Sequence, residues 1–318
     1  MSAVLIIYTG GTIGMQPSSD GFSPAGNFDA LIEKHMSTSE QHTLAPYQLL
    51  EFEHLIDSSN SQPHHWREIA QCILDNYDHY CGFVILHGTD TMAYTAAALD
   101  HMLAGCAKNI VVTGSQIPMA QPRSDGPANL LGAVLAARSK PLYQASLYFD
   151  NKLMRARSAS KVHSSAFAAF DSPNAPLLAH SGIDICQLTH PEPRAANFNC
   201  ELEPAGSVDV LLLYPGISDS AICGVLDNPN LKAAVLLSFG AGNLADHNTV
   251  LMEKIAQARA RGVVIINKTQ CHQGAVAQGN YAVSSQLGKL GVISAEQRTL
   301  EDVVTDLYVN LANYQKQD

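Results

Sequence analysis

Two short turns rich in glycine and threonine hold the residues best suited to chemistry: Thr9-Gly10-Gly11-Thr12-Ile13-Gly14 and His87-Gly88-Thr89-Asp90-Thr91-Met92. Each follows an apolar run that reads as a buried strand, Val4 to Tyr8 and Phe83 to Leu86. Open α/β sheets place their ligands at the carboxyl ends of such strands. Glycine lets backbone approach a small ligand closely, and threonine brings a hydroxyl that both donates and accepts. Taken singly, either segment is equally a plain tight turn or a generic anion site, and Asp90 could simply cap the following helix. Together they read as two halves of one site. The glycine spacing does not match the dinucleotide fingerprint G-x-G-x-x-G, and the chain has no G-x-x-x-x-G-K-[ST] phosphate loop.

A threonine hydroxyl is a weak nucleophile until a base takes its proton. Asp90, beside Thr89, could hold a charged amine or orient a lysine. Lys161 stands out among the few lysines, in the weakly charged stretch Ser158-Ala159-Ser160-Lys161-Val162-His163. A threonine–lysine–aspartate relay would parallel the serine–histidine–aspartate arrangement. Alone, Lys161 also fits a solvated surface residue. The thirteen histidines include no H-E-x-x-H, and His64, His65 and His163 read as ordinary surface or packing residues. No metal or other cofactor is expected.

The elements that must position these groups alternate. Ile110 to Gly114 and Ala145 to Phe149 read as further strands, with helices over Thr91 to Leu103 and Leu130 to Arg138. Ser61-Gln62-Pro63 reads as a helix start, with Trp66, Ile69, Ala70 and Ile73 as its inward stripe. Near-continuous apolar strands alternating with helices indicate a mainly parallel sheet covered on both faces. The pattern fails from about Leu188 to Val208, where prolines sit among polar residues, and then resumes. Strands are expected over Val208 to Tyr214, Ala233 to Ser238 and Gly262 to Asn267, with helices over Leu251 to Arg261 and Leu300 to Tyr314. The expected fold is two α/β domains: a larger one at 1–188 carrying both turns, a linker at 189–208, and a smaller parallel one at 209–318.

Bulk properties set limits. The 318 residues are 46% hydrophobic and 15% charged, as in an ordinary globular protein. A net charge of −10 and a pI of about 5.6 argue against nucleic acid or an anionic membrane as partner. Seven cysteines without a C-x-x-C pair fit reduced thiols, and no apolar stretch reaches the roughly 18–20 residues a bilayer requires. With no signal-like segment ahead of the first strand, a soluble cytoplasmic protein is expected.

The segments Tyr8 to Met15 and His87 to Thr95 resemble the two signature motifs of bacterial L-asparaginases, most closely the cytoplasmic type I enzymes. The resemblance extends in order through Asp57-Ser58-Ser59, Thr113 to Pro118, Arg123 to Gly126, Tyr214 to Ile217 and Asn267 to Cys271. It implies hydrolysis of L-asparagine to L-aspartate and ammonia, with Thr12 as nucleophile and Lys161 as the base acting on Thr89. Asp90 would partner the lysine and the substrate α-amino group. Asp57 and Ser58 would clamp the α-amino and α-carboxylate groups, and Ser115, or backbone beside it, would lie near the leaving amide. Asn243 resembles a residue lent by a neighbouring subunit, which implies an intimate dimer, with pairing into a tetramer by family analogy.

Two departures from the family pattern stand out. Where the family has a tyrosine that hydrogen-bonds the nucleophile, this chain has Phe22, which lacks the hydroxyl. Loss of a positioned proton-transfer group commonly costs about 10²–10⁴ in rate. Impaired activity is therefore expected unless Ser23 or Tyr8 substitutes. Where type I enzymes use an arginine at an allosteric asparagine site, this chain has Leu237, and Ser160 replaces a threonine linked to that switch. Leucine cannot grip a carboxylate, so homotropic activation should be weak or absent. Two other readings keep the scaffold: a glutaminase-type or other amidohydrolase, and a non-catalytic amino-acid-binding relative.

Overall fold

The computed structural model describes residues 3–18, 21–24, 26–182, 185–187, 192–277 and 282–316. The chain divides into two compact units, Met1–Cys200 and Glu201–Asp318.

The first unit is built on an eight-stranded sheet. Its five parallel strands lie in the order Tyr47–Ile56, Val4–Gly10, Gly82–Leu86, Asn109–Thr113, Ala145–Phe149. Numbered along the chain this is 2-1-3-4-5, so the direction of winding reverses between Val4–Gly10 and Gly82–Leu86. At such a switch point the loops leaving two neighbouring strands part to opposite faces and open a crevice at the carboxyl ends. Both glycine-threonine turns leave the sheet there. Lys152–Arg155, Ala179–Ser181 and Ile185–Gln187 extend the far edge in antiparallel fashion.

The central strands are buried along their whole length. Val4, Ile6, Tyr8, Val84, Leu86 and Val111 pack on one face with Phe28, Leu31, Leu130, Ala133 and Val134. Leu5, Ile7, Phe83, Ile85, Ile110 and Val112 are equally buried. Because side chains alternate across a strand, this second set belongs to the other face, and helices flank both. The helix Pro63–Asp75 buries Trp66, Ile69, Ala70 and Ile73, the stripe expected from its sequence.

Several boundaries shift for local reasons. The helix expected from Leu130 begins at Gly126, because Pro127 falls in its first turn, where no amide hydrogen is needed. The strand expected from Gly262 begins at Val264, since Gly262 ends the preceding turn with φ 83°. Tyr47–Ile56 has no apolar-run signature because it is an edge strand with Gln48, Glu51, Glu53 and His54 along it. Within 189–208, Asn197–Phe198 pairs antiparallel with Leu103–Ala104 of the first unit.

The second unit has a four-stranded parallel sheet ordered as in the chain: Val208–Leu212, Ala233–Ser238, Val264–Thr269, Ile293–Ser294. Its core gathers Leu211, Ile222, Leu236, Leu251, Ile255, Ile265 and Leu287. Among the described residues, no helix is long and apolar enough to cross a membrane.

Candidate functional site

The switch point is assembled by backbone contact. Gly10 and Gly11 have φ of 126° and 88°, outside the range favoured by other residues. A Cβ on Gly11 would overlap the backbone nitrogen of Gly88, one on Gly88 would overlap the Ser58 hydroxyl, and one on Gly10 would overlap the carbonyl of Ile56. Three chain segments therefore meet with no room for side chains between them. Thr12 and Thr89, the residues after Gly11 and Gly88, lie on adjacent turns.

Thr12 opens a 3-10 turn over Thr12–Gly14 and stays partly exposed. The Met119 amide donates to the Ile13 carbonyl at 3.0 Å and anchors that turn. Thr9 does not face outward; its hydroxyl donates to the Leu86 carbonyl at 2.8 Å and laces the two strands.

The second turn rests on His87, which is buried. Its Nδ1 lies 2.8 Å from the Gly88 carbonyl and its Nε2 lies 3.0 Å from the Thr95 hydroxyl. The carbonyl can only accept, so the hydrogen sits on Nδ1, and Thr95 donates to Nε2. Burial pushes the imidazole pKa down to about 4, which keeps the ring in this neutral form. His87 escaped sequence reading because an apolar strand end gives no sign that a polar ring is needed beneath a turn.

Thr89, Asp90 and Lys161 come together. Lys161 Nζ donates to Thr89 Oγ1 at 2.9 Å and to Asp90 Oδ1 at 2.7 Å. Thr89 is buried and the Asp90 side chain is 63% exposed, so the aspartate remains open to a ligand. The following helix has Thr91, not Asp90, at its N-cap position, and no side chain caps it, so capping is not the aspartate's role. Lys161 stands on the short strand Ser160–Lys161, paired with Phe170–Asp171. The segment leading to it is pinned by an ion pair of Arg157 with the buried Asp100 at 2.5 Å.

Asp57 and Ser58 adjoin the same turns. Ser58 is buried, and its carbonyl accepts from Thr91 Oγ1 at 2.7 Å. The exposed Asp57 carboxylate accepts from the Ser59 amide and hydroxyl and from Asn60. Ser115 is buried and its hydroxyl is committed to the Ile117 carbonyl at 2.6 Å. Asn243 lies in the second unit, in a tight loop where its backbone pairs with Phe239 and where Asn267 holds the Gly242 carbonyl at 2.9 Å.

Phe22 sits opposite Pro17 in the hairpin of Met15–Ser18 and Gly21–Pro24, half exposed. Ser23 beside it is exposed as well. Tyr8 is fully buried, stacked on Phe28 at 4.8 Å between centroids, with its hydroxyl beneath Gly14. Burial and the nearby Glu51 carboxylate raise its pKa, so this phenol resists ionisation. Leu237, in the second unit, has an apolar side chain, and its carbonyl accepts from the Leu213 amide and Gln270 Nε2. Among the described residues no group of three or more His, Cys, Asp or Glu gathers in a way that could hold a metal ion.

Known proteins share this arrangement of the chain. Residues 3–192 match the family described as asparaginase, N-terminal, and residues 207–318 match the glutaminase/asparaginase C-terminal domain. L-asparaginase 1 of Escherichia coli strain K12 is 40% identical over 312 residues, spanning 98% of this chain and 92% of its own length. The crystal structure of L-asparaginase I from Vibrio cholerae superposes with a TM-score of 0.88 at 40% identity, covering 99% of this chain and 95% of that one. The thermostable L-asparaginase from Thermococcus kodakarensis gives 0.86 at 30% identity, covering 99% and 96%. A two-unit α/β fold that places paired threonine turns at its switch point, matched along almost its full length, assigns this chain to the asparaginase family.

Proposed function

We propose that the protein is an L-asparagine amidohydrolase, releasing L-aspartate and ammonia through an ester on Thr12. The observation that carries this reading is Lys161 Nζ held between Thr89 Oγ1 and Asp90 Oδ1 beside the turn that presents Thr12. Thr12 Oγ1 attacks the side-chain amide carbon, the C–N bond breaks, and ammonia departs with the proton that Thr12 gave up. A water molecule then adds to the ester, passing a proton through Thr89 to Lys161. The C–O bond to Thr12 breaks and the threonine recovers its proton. Backbone amides at Gly88 and Thr89 stabilise the oxyanion; one such donor is typically worth about 10²–10³ in rate.

Recognition follows charge. The substrate's ammonium and carboxylate groups need opposite partners, which Asp57 and Asp90 supply for the first and Ser58 with neighbouring backbone donors for the second. Asn243 of a second copy completes the site in an intimate dimer, and such dimers pair into tetramers. Ammonia release from asparagine and glutamine, measured side by side, tests the substrate: asparagine should be turned over faster, and a glutamine preference would overturn the assignment.

Phe22 slows the reaction, because it lacks the hydroxyl that the family's tyrosine brings to the nucleophile at the matching position. Phe22→Tyr is expected to raise kcat by about 10²–10⁴, the usual worth of a positioned proton-transfer group. Equal rates in the two proteins would show that the hydroxyl is not needed. With Leu237 in place of a cation, asparagine saturation should be hyperbolic. A clearly sigmoidal curve from initial rates would refute that expectation.

A further inference from the structure

His87 does more than fill space beneath the second turn, because its contacts fix a backbone direction. Its Nδ1 lies 2.8 Å from the Gly88 carbonyl, and its Nε2 lies 3.0 Å from Thr95 Oγ1. With Nε2 accepting from the threonine hydroxyl, the ring hydrogen stays on Nδ1 and is given to that carbonyl. Thr95 is itself buried on the helix Met92–Met102, so the ring is held from a rigid element.

The turn needs such a hold. Position 88 must be glycine, because a Cβ there would come within 2.4 Å of the Ser58 hydroxyl. Glycine leaves its own ψ soft, so nothing in the residue itself fixes the plane of the peptide joining it to Thr89. That peptide is planar and trans, so its carbonyl and its N–H point in opposite directions. A carbonyl drawn down onto the buried His87 ring therefore turns the Thr89 N–H away from the core. Among the described residues that N–H has no acceptor, which leaves it for a developing negative charge.

The Thr89 side chain is held separately. Its Oγ1 lies 2.9 Å from Lys161 Nζ and 3.2 Å from Gln116 Oε1, and the Gln116 backbone amide is anchored on Asp125 at 3.0 Å. A change at His87 thus reaches the Thr89 amide without removing the contacts of its hydroxyl. We propose that His87 is a positioning residue that locks the Gly88–Thr89 peptide so that the Thr89 N–H faces the oxyanion formed at the substrate carbon. It acts through that peptide and touches neither substrate nor reacting atoms. It rests on the reading in which the Thr89 amide is an oxyanion donor.

Two variants separate the donated hydrogen from the bulk of the ring. His87→Leu fills much of the space but gives the carbonyl nothing. His87→Asn is smaller, yet its Nδ2 stands about where Nδ1 stood and keeps the donor. An oxyanion donor acts in the transition state, so His87→Leu should lower kcat for asparagine about 10–10³-fold while KM stays within about twofold. The lower end is the worth of one hydrogen bond to a charge, the upper that of a whole oxyanion donor. His87→Asn should keep kcat within about threefold of the parent, since the bond to the carbonyl survives. Crystal structures of both variants with aspartate bound should show the Gly88–Thr89 peptide rotated in His87→Leu and in place in His87→Asn.

A merely structural role predicts the reverse order of kcat, because His87→Asn empties more of a buried site. That order, a loss confined to KM, a kcat loss with the peptide still in place, or parental kcat with the peptide unmoved would overturn the proposal. A peptide that rotates with kcat unchanged would overturn the underlying reading of the Thr89 amide and the proposal with it, a result told apart by the structure. Thermal unfolding identifies misfolding. If His87→Leu does not fold, His87→Asn decides: kcat above about one-tenth of the parent with the peptide in place supports the proposal, and a lower kcat or a rotated peptide refutes it.

Discussion

Thr12→Ala is expected to abolish turnover of asparagine, with kcat falling on the order of 10⁴–10⁶-fold, the scale seen when a hydrolase loses its nucleophile. The loss should be chemical and not structural. Thr12 is partly exposed at the start of a short 3-10 turn, and the contacts that build the switch point belong to Gly10, Gly11 and Ile13. Alanine fits the same backbone, so the variant should fold and still bind aspartate, as isothermal titration would report. Retention of more than about one-hundredth of kcat would show that Thr12 is not the attacking group, because no covalent step could then pass through it.

Lys161→Met should reduce kcat by about 10²–10⁴-fold, the usual worth of a positioned acid–base group, with a smaller change in KM. The side chain is the only group seen to bridge Thr89 and Asp90 among the described residues, and it is four-fifths shielded from solvent. Lys161→Arg sharpens the test. Arginine keeps a positive charge beside Asp90 but does not release a proton in proteins, so it should be as poor as methionine. Near-parental kcat in the arginine variant would mean that position 161 supplies charge alone.

The sequence was informative where chemistry and burial coincide. The central strands read as continuous apolar runs because both their faces are covered, and Ala145–Phe149 and Ala233–Ser238 appear in the structure with the limits expected of them. The grouping of Thr89, Asp90 and Lys161 was one open reading of the residue types and became specific only with the resemblance, since Asp90 and Lys161 lie 71 positions apart and no local pattern links them. Polar scaffolding was least legible. His87, Gln116 and Asp125 are ordinary polar residues in the chain, and their importance lies in hydrogen bonds made to backbone far away. The hairpin carrying Phe22 and the edge strand Tyr47–Ile56 were silent for a different reason: neither is buried enough to write an apolar pattern.

The two turns that first stood out now differ in what surrounds them. The second is braced on every side, by His87 and Thr95 below and by Lys161 and Gln116 beside it. The first presents Thr12 partly exposed, with Phe22 half exposed on the hairpin that follows. With the proposed relay at the second turn removed, as in Lys161→Met, breakdown of the ester on Thr12 should slow, and the ester should become a species that can be caught.

Rapid acid quenching of the Lys161→Met enzyme during turnover of asparagine, followed by peptide mass spectrometry, examines that species directly. The account predicts an added aspartyl group on the peptide containing Thr12 and none in the Thr12→Ala protein. Turnover with an unmodified Thr12 peptide, or an adduct on Thr89 instead, would contradict it.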